Sequence, residues 1–562
     1  MDSDERKQNN SKGVAWPVAH ILALAPIDVW VRLLGRSGGV KPRYWARVAF
    51  ILVTSLVGTA CTVHERVLLS GFFRAKIKRT KRQAGSPSHQ DFRIAHEPGA
   101  VVILGYYRSG TTHLQNLMSC DERFVSPRWY QCLAGQGFVF GWSLIRFVLV
   151  PFLGGTRPQD AVGFGPNWPA EDDFALCSWG MCSSIPGRFV FPSKWEEWKR
   201  WHGLDGLSEQ ELNRWRSLTA MFVWKLTRGK RNRARVVLLK TPSHTARVAE
   251  LDRLFHGHVK FVHLVREPGA VIDSNVRLHD ALKDHLLEDA PDVQVVRERI
   301  VGEYAYTESK CCAELESIEN DRVVRIRYQD LRADGIGTLK SVYETLGLGW
   351  DDETEGSIER YMGSLGEYSS VKEPIDLGAV SEQEEMMKAE MVSRYGLDAP
   401  AVEAREVAVG EVFSAKPGRG IAMAGFVAIL CALVWVGVVW GIHWMDPMMR
   451  MRLVPAVWIC GALIGLSARS ASGVGTRGVG IVAAVLTVLV VIGVAFPVTV
   501  INWNWAADDG TRAWLYHNAK GGYQGLRSVA SVVFIVLGAM TAYRHGSWSG
   551  PTAPGESGKI RV

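Results

Sequence analysis

The stretch VVILGYYRSGTTHLQNLM, Val101 to Met118, constrains this chain more than any other. A β-branched run ends at Gly105, four residues separate it from Gly110, and Thr111-Thr112 opens a stretch of helical character. The chain must therefore pass from a buried strand through a tight, glycine-bounded loop into a helix. Such a loop aims backbone N–H groups from a helix N-terminus at one point and makes a phosphate site. A nucleotide triphosphate loop carries Lys-Ser/Thr after its second glycine; here that lysine is missing, and Arg108 sits inside the loop instead.

Three further runs have the length and β-branched content of buried strands: RVVLLK (Arg235 to Lys240), KFVHLVR (Lys260 to Arg266) and RVVRIRY (Arg322 to Tyr328). With AVVILG (Ala100 to Gly105) they make four, each leading into a stretch that reads as helix, HTARVAELDRLF among them. That alternation predicts an α/β fold: a P-loop-like parallel sheet flanked by helices. Ligands of such sheets lie at the carboxyl ends of the strands. The residues there are Arg108, Lys240, Arg266 and Tyr328, where a triphosphatase would carry an Asp to hold magnesium. This sheet edge is predicted to bind a polyanion directly through cations.

Together YYRSGTTHLQNL, LLKTPSHTARVAELDRLF, KFVHLVREPGAVIDSNVRL and RIRYQDL, with PAEDDFAL from Pro169 to Leu176, resemble the sulfotransferase superfamily. The resemblance runs from about Tyr44 to Leu348, with its motifs in the expected order. It implies an enzyme that moves a sulfuryl group from 3′-phosphoadenosine 5′-phosphosulfate (PAPS) to a hydroxyl or amine, without a metal. It also implies that Gly110 to Thr112 and the hydroxyls of Ser109, Thr111 and Thr112 cradle the 5′-phosphate, with Arg108 touching that phosphate or the bridging oxygen. His113, where soluble relatives often carry a bulky aromatic, lines the site. Arg266 and Ser274 match the family's 3′-phosphate site, and Tyr328 matches a tyrosine near the adenosine.

Relatives use either a histidine after a Lys-Thr pair or a glutamate as catalytic base. Lys240 matches the lysine that reaches the bridging oxygen, and His244 stands two positions later than the histidine of the soluble enzymes. Glu171, with Asp172 or Asp173, is the competing carboxylate. A kinase or triphosphatase with a degenerate phosphate loop is the alternative function, weakened by the absent lysine and the absent strand-end Asp.

With 562 residues the chain is expected to hold more than one domain. Residues 1–97 read as an N-terminal region, 98–410 as the sulfotransferase domain, 411–420 as a linker, 421–545 as a transmembrane helical domain of about four spans, and 546–562 as a polar tail. Ile421 to Ile442 is 22 residues without a charge, and Val479 to Val500 is another such run. Each is long enough, at ~1.5 Å per residue, to cross ~30 Å of hydrocarbon. Leu453 to Ala468 and Ser528 to Tyr543 fit shorter return spans, and Trp440, Trp444, Trp503, Trp505 and Tyr543 an interfacial belt. Lys and Arg near the spans lean weakly towards a cytoplasmic catalytic side. A multi-pass location in an endomembrane or the plasma membrane is expected.

The run Val48 to Val63, followed by RAKIKRTKR, reads as a short span, an amphipathic helix on a membrane, or a first helix packed on the catalytic domain. The formal charge of +8 fits an anionic ligand or membrane. Nine cysteines show no CxxC or zinc spacing, which argues against a disulfide scaffold. The expected acceptor is a hydroxyl-bearing glycan, lipid or small molecule, with no nucleic acid. The tryptophan-rich region Trp179 to Trp224 is expected to form a lid or acceptor pocket.

Overall fold

The computed structural model describes residues 24–83, 98–139, 163–228, 235–365 and 375–400, with isolated positions elsewhere. The four strand-like runs all form strands: β1 (Ala100–Leu104), β3 (Val236–Lys240), β4 (Val259–Val265) and β5 (Val323–Arg327). A fifth, β2 (Phe124–Val125), pairs at one edge. It is two residues long, too short to have a readable period. The sheet order is β2-β3-β1-β4-β5, and every pairing is parallel.

Period-two alternation divides the sheet between two cores. On β1, Ala100, Val102 and Leu104 face one cluster with Val237, Leu239 and Phe261, while Val101 and Ile103 face the other with Leu238, Val262 and Leu264. Both faces are covered, so these strands read as continuous apolar runs, and each fully buried aliphatic side chain contributes ~1.5–3 kcal/mol.

The first core also takes in the N-terminal helices α1 (Ile27–Arg36) and α2 (Trp45–Gln83), through Val29, Trp30, Leu33 and Ile51. Of the three readings open for Val48 to Val63, packing on the catalytic domain is the one observed for its inner face. Among the described residues no single helix is long and apolar enough to cross a membrane, although Pro42–Ala60 and Thr62–Leu68, joined at a 48° bend, pass together by length and composition. The expected spans within 421–545 lie almost wholly outside the described residues.

The expectation of a lid in the tryptophan-rich region is corrected for its middle: Trp195, Trp198 and Trp201 fall at threefold spacing on one face of the helix Trp195–Gly203 and are buried, as is Trp215, while Trp179 and Trp224 are half-buried. The charged segment SEQEEMMKAEM is also packed in part. The helix Glu382–Tyr395 buries Met387, Met391 and Tyr395, and its Glu384 carboxylate pairs with Arg297 at 2.7 Å.

Candidate active site

The loop leaves β1 at Gly105 and enters the helix α3 (Thr111–Met118) at Gly110. Gly105 donates its N–H to Thr245 Oγ1 at 2.7 Å. Gly110 has φ 99°, and a Cβ there would overlap the Tyr328 ring. Gly105 has φ 147°, and both positions demand glycine through conformation and through close approach. Arg108 adopts φ 69°, a left-handed conformation uncommon outside glycine, held because its neighbours fix it. Asn275 Nδ2 donates to Tyr107 O at 2.8 Å, and Arg266 Nη1 donates to Arg108 O at 2.9 Å.

At one end of the loop the expected donor residues converge. Arg108 Nε donates to Ser274 Oγ at 3.0 Å, and the Arg266 guanidinium lies 4.5 Å over the Tyr328 ring, which also covers Gly110. Ser274 is carried on α5 (Pro268–Ala281). Glu267, adjacent to Arg266, is occupied in capping that helix, accepting from Gly269 and Ala270 N–H, so Arg266 remains turned to the loop. Arg108 thus joins the Arg266–Ser274 pair instead of reaching across to Lys240. His113 follows on α3; burial, and then Arg332, lower its pKa to about 4, so the ring is neutral at pH 7. Arg332 carries no motif that a sequence reading could seize; only the fold brings it beside the loop helix.

At the other end, Lys240 closes β3 with its side chain almost fully buried. Its Nζ lies 2.7 Å from Glu171 Oε1 and 3.2 Å from Thr112 Oγ1, bridging the carboxylate and the loop. Glu171 opens the turn before α4 (Asp173–Gly180), and its neighbours are pinned away from it. Gln115, on α3, holds Ala170 O at 3.3 Å. Asp172 accepts from Thr241 Oγ1 at 2.9 Å and from His244 Nε2 at 2.9 Å. Asp173 binds Arg247 at 2.9 Å. Of three consecutive carboxylates, only Glu171 faces the loop.

The two candidate bases are therefore placed differently. His244 is fully buried in the turn after β3, its Nε2 committed to Asp172 and its Nδ1 without a hydrogen-bond partner among the described residues. Burial would push the Asp172 carboxyl up, but the adjacent imidazole and the bonds from His244 and Thr241 hold it below the ordinary value. Glu171 keeps partial exposure beside the loop.

Behind the loop lies a buried polar network that the sequence did not announce. Arg188 pairs with Glu303 on α6 (Val293–Leu315), and its guanidinium stands 4.2 Å over the Tyr107 ring. Tyr106 Oη donates to Glu303 at 3.0 Å. Burial raises the Tyr107 phenol to about 12, so it stays neutral and serves as packing under the loop.

Residues 181–352 match a family model described as the sulfotransferase family. A curated relative, the omega-hydroxy-beta-dihydromenaquinone-9 sulfotransferase Stf3 of Mycobacterium bovis, is 28% identical over 375 residues, 66% of this chain and 89% of its own. The Mycobacterium tuberculosis protein of the same name matches equally. These findings support the sulfotransferase family. Among solved structures, the sulfotransferase STF9 of Mycobacterium avium aligns at 16% identity over 72% of this chain and 98% of its own, with a TM-score of 0.48. STF1 of Mycobacterium tuberculosis aligns at 15% over 70% and 99%, with a TM-score of 0.39. The family match spans Lys240, His244, Arg266, Ser274 and Tyr328; the loop and Glu171 precede it.

Proposed function

We propose that this chain moves the sulfuryl group of PAPS to a hydroxyl of a lipid acceptor, working from residues 98–410 while segments within 421–545 anchor it in a membrane. The observation that carries the reading is the division of the loop's surroundings. Arg108, Arg266, Ser274 and Tyr328 gather at one end, and Lys240, Thr112 and Glu171 at the other.

The residue chemistry fits a nucleotide with two separated anionic groups. The N–H groups of Gly110 to Thr112 and their hydroxyls hold the 5′-phosphate. Arg266 and Ser274, tied together by Arg108, hold the 3′-phosphate. Lys240 neutralises charge gathering on the bridging oxygen, a preorganised contact of the kind worth ~3–4 kcal/mol in the transition state. Glu171 accepts the acceptor's proton as its oxygen bonds to sulfur and the bond from sulfur to the 5′-phosphate oxygen breaks, that oxygen keeping the electron pair. A kinase reading is disfavoured because β3 and β4 lead into Lys240 and Arg266 where a magnesium-holding Asp would be needed.

The lipid class is suggested by the relative, whose name places its sulfate on a menaquinone-derived hydroxyl. The test is transfer of labelled sulfate from PAPS to ω-hydroxylated prenyl quinones, set beside sugars, phenols and short alcohols. Labelling of the quinone class supports the assignment; labelling confined to sugars or phenols refutes the acceptor. Binding of 3′-phosphoadenosine 5′-phosphate is expected without added magnesium, and binding seen only with ATP and magnesium refutes the donor.

A further inference from the structure

The helix α2 packs Val48, Ile51 and Leu52 inward and carries a second apolar stripe on its outer side. Trp45, Ala49, Val53, Leu56, Ala60 and Val63 are exposed and follow one another at intervals of three and four, and the stripe continues to Val67 and Leu68. Val53 is 61% exposed, Leu56 55% and Val67 66%. Among the described side chains from 45 to 68, no exposed position is an acid, a lysine or an arginine.

Apart from the exposed His64 and the half-buried Arg66, which pairs with Asp28, the polar groups of the same stretch face inward, and several are bonded there. Arg47 donates to Leu286 O at 2.7 Å, Ser55 to Ala25 O at 2.6 Å, and Thr59 accepts from Ile27 N–H at 2.9 Å. Glu65 pairs with Lys225 at 2.7 Å, both side chains fully buried. A surface helix in water has the reverse arrangement, and a contiguous apolar patch marks an interaction surface where scattered apolar residues do not.

We propose that this face is where the catalytic domain rests on a phospholipid bilayer, with α2 lying along the surface. The inner face is fixed to protein, so lipid cannot surround the helix, and a span is excluded by those bonds. The apolar stretch from Trp45 to Leu68 is ~35 Å long at helical rise. Its helix then runs into RAKIKRTKR, Arg74 to Arg82, which calls for an anionic partner. That charge decides between two apolar occupants. The chain's own segments 421–442 and 479–500 carry no charge to answer it, whereas anionic headgroups do. The contact is additional to anchoring by 421–545 and stands whether or not those segments cross the membrane.

The test uses the full chain with p-benzoylphenylalanine at Leu56 or Val63, reconstituted into phosphatidylcholine vesicles with and without phosphatidylglycerol. Met386, 69% exposed but set among glutamates on Glu382–Tyr395, is the control position. Illumination should yield phospholipid adducts at Leu56 and Val63 and none at Met386, and the yield should rise severalfold with phosphatidylglycerol. Retained binding of 3′-phosphoadenosine 5′-phosphate reports that each variant is folded. Cross-links into residues 421–545, cross-links to a second copy, absence of lipid adducts, or a yield indifferent to phosphatidylglycerol would each overturn the proposal.

Discussion

Replacing His244 with Ala separates the two candidate bases, because the structure assigns opposite consequences to them. The imidazole is fully buried and pairs at 2.9 Å with Asp172, itself almost fully buried. Its removal leaves a carboxylate in the interior with only the Thr241 hydroxyl, at 2.9 Å, as a side-chain donor. Breaking a buried pair from one side costs ~3–5 kcal/mol, and the surviving Thr241 bond puts the expected loss near ~3 kcal/mol. Burial would then raise the Asp172 carboxyl, so the loss should be largest at neutral pH and shrink as acid protonates it. His244→Gln, which keeps an N–H donor, should recover part of the stability. Turnover by the folded fraction should stay within about threefold of wild type, since the fully buried His244 bonds Asp172 rather than Glu171 or Lys240, and Thr241 still holds Asp172 in place. Glu171→Gln should do the reverse: stability little changed, because the amide oxygen still accepts from Lys240, and turnover reduced by ~10²–10⁴. Urea unfolding and single-turnover sulfate transfer measure the two quantities. A His244→Ala protein of native stability that has lost transfer, beside a Glu171→Gln protein that retains it, would refute the reasoning.

Arg266→Ala removes a charged contact that also secures Arg108 O, and a charge-assisted hydrogen bond of ~1.5–3 kcal/mol implies donor binding weaker by roughly 10- to 150-fold, readable by calorimetry with 3′-phosphoadenosine 5′-phosphate. Gly110→Ala forces a side chain into a left-handed conformation, ~1–2 kcal/mol by itself, and drives its methyl into the Tyr328 ring; donor binding should be lost and partly return in the double variant with Tyr328→Ala. His202 is held between Thr307 and Ser243, and burial, with Arg188 and Arg247 acting against Glu303, lowers it from 6.5 to about 4. The unfolded chain binds a proton there before the folded one does, so stability should fall by ~3 kcal/mol as pH drops from about 6.5 to about 4; equal urea midpoints across that window would contradict this.

Much of the scaffold was legible because its signals are local. The four strand runs carry their own β-branched composition, and the loop announces itself through Gly105 and Gly110. Arg266 and Ser274, which both bond Arg108, are separated by a spacing within one strand, turn and helix. What escaped needed tertiary information. Glu171, Asp172 and Asp173 are three adjacent carboxylates of similar chemistry, and only their partners, Lys240, His244 and Arg247, give them different tasks. The tryptophans from Trp195 to Trp215 looked like a binding surface by composition and are core by placement. For α2 the apolar residues crowd every side of the helix, so the pattern alone could not say which face would be covered.

The missing lysine of the loop acquires a physical account from β3. A triphosphate loop places its lysine on the helix that follows, bound to the same turn as the phosphate N–H groups. Here Thr111 stands at the lysine position with Thr112 after it, and the cation arrives from the neighbouring strand, Lys240 Nζ at 3.2 Å from Thr112 Oγ1. The transfer of that charge to β3 has a consequence that a helix-borne lysine could not have. β3 also positions Thr241 and His244, which clamp Asp172, so one strand end sets both the cation and the orientation of Glu171 at 2.7 Å from it. The proposed phosphate cradle and the proposed base are thereby held in register by a single element of the sheet.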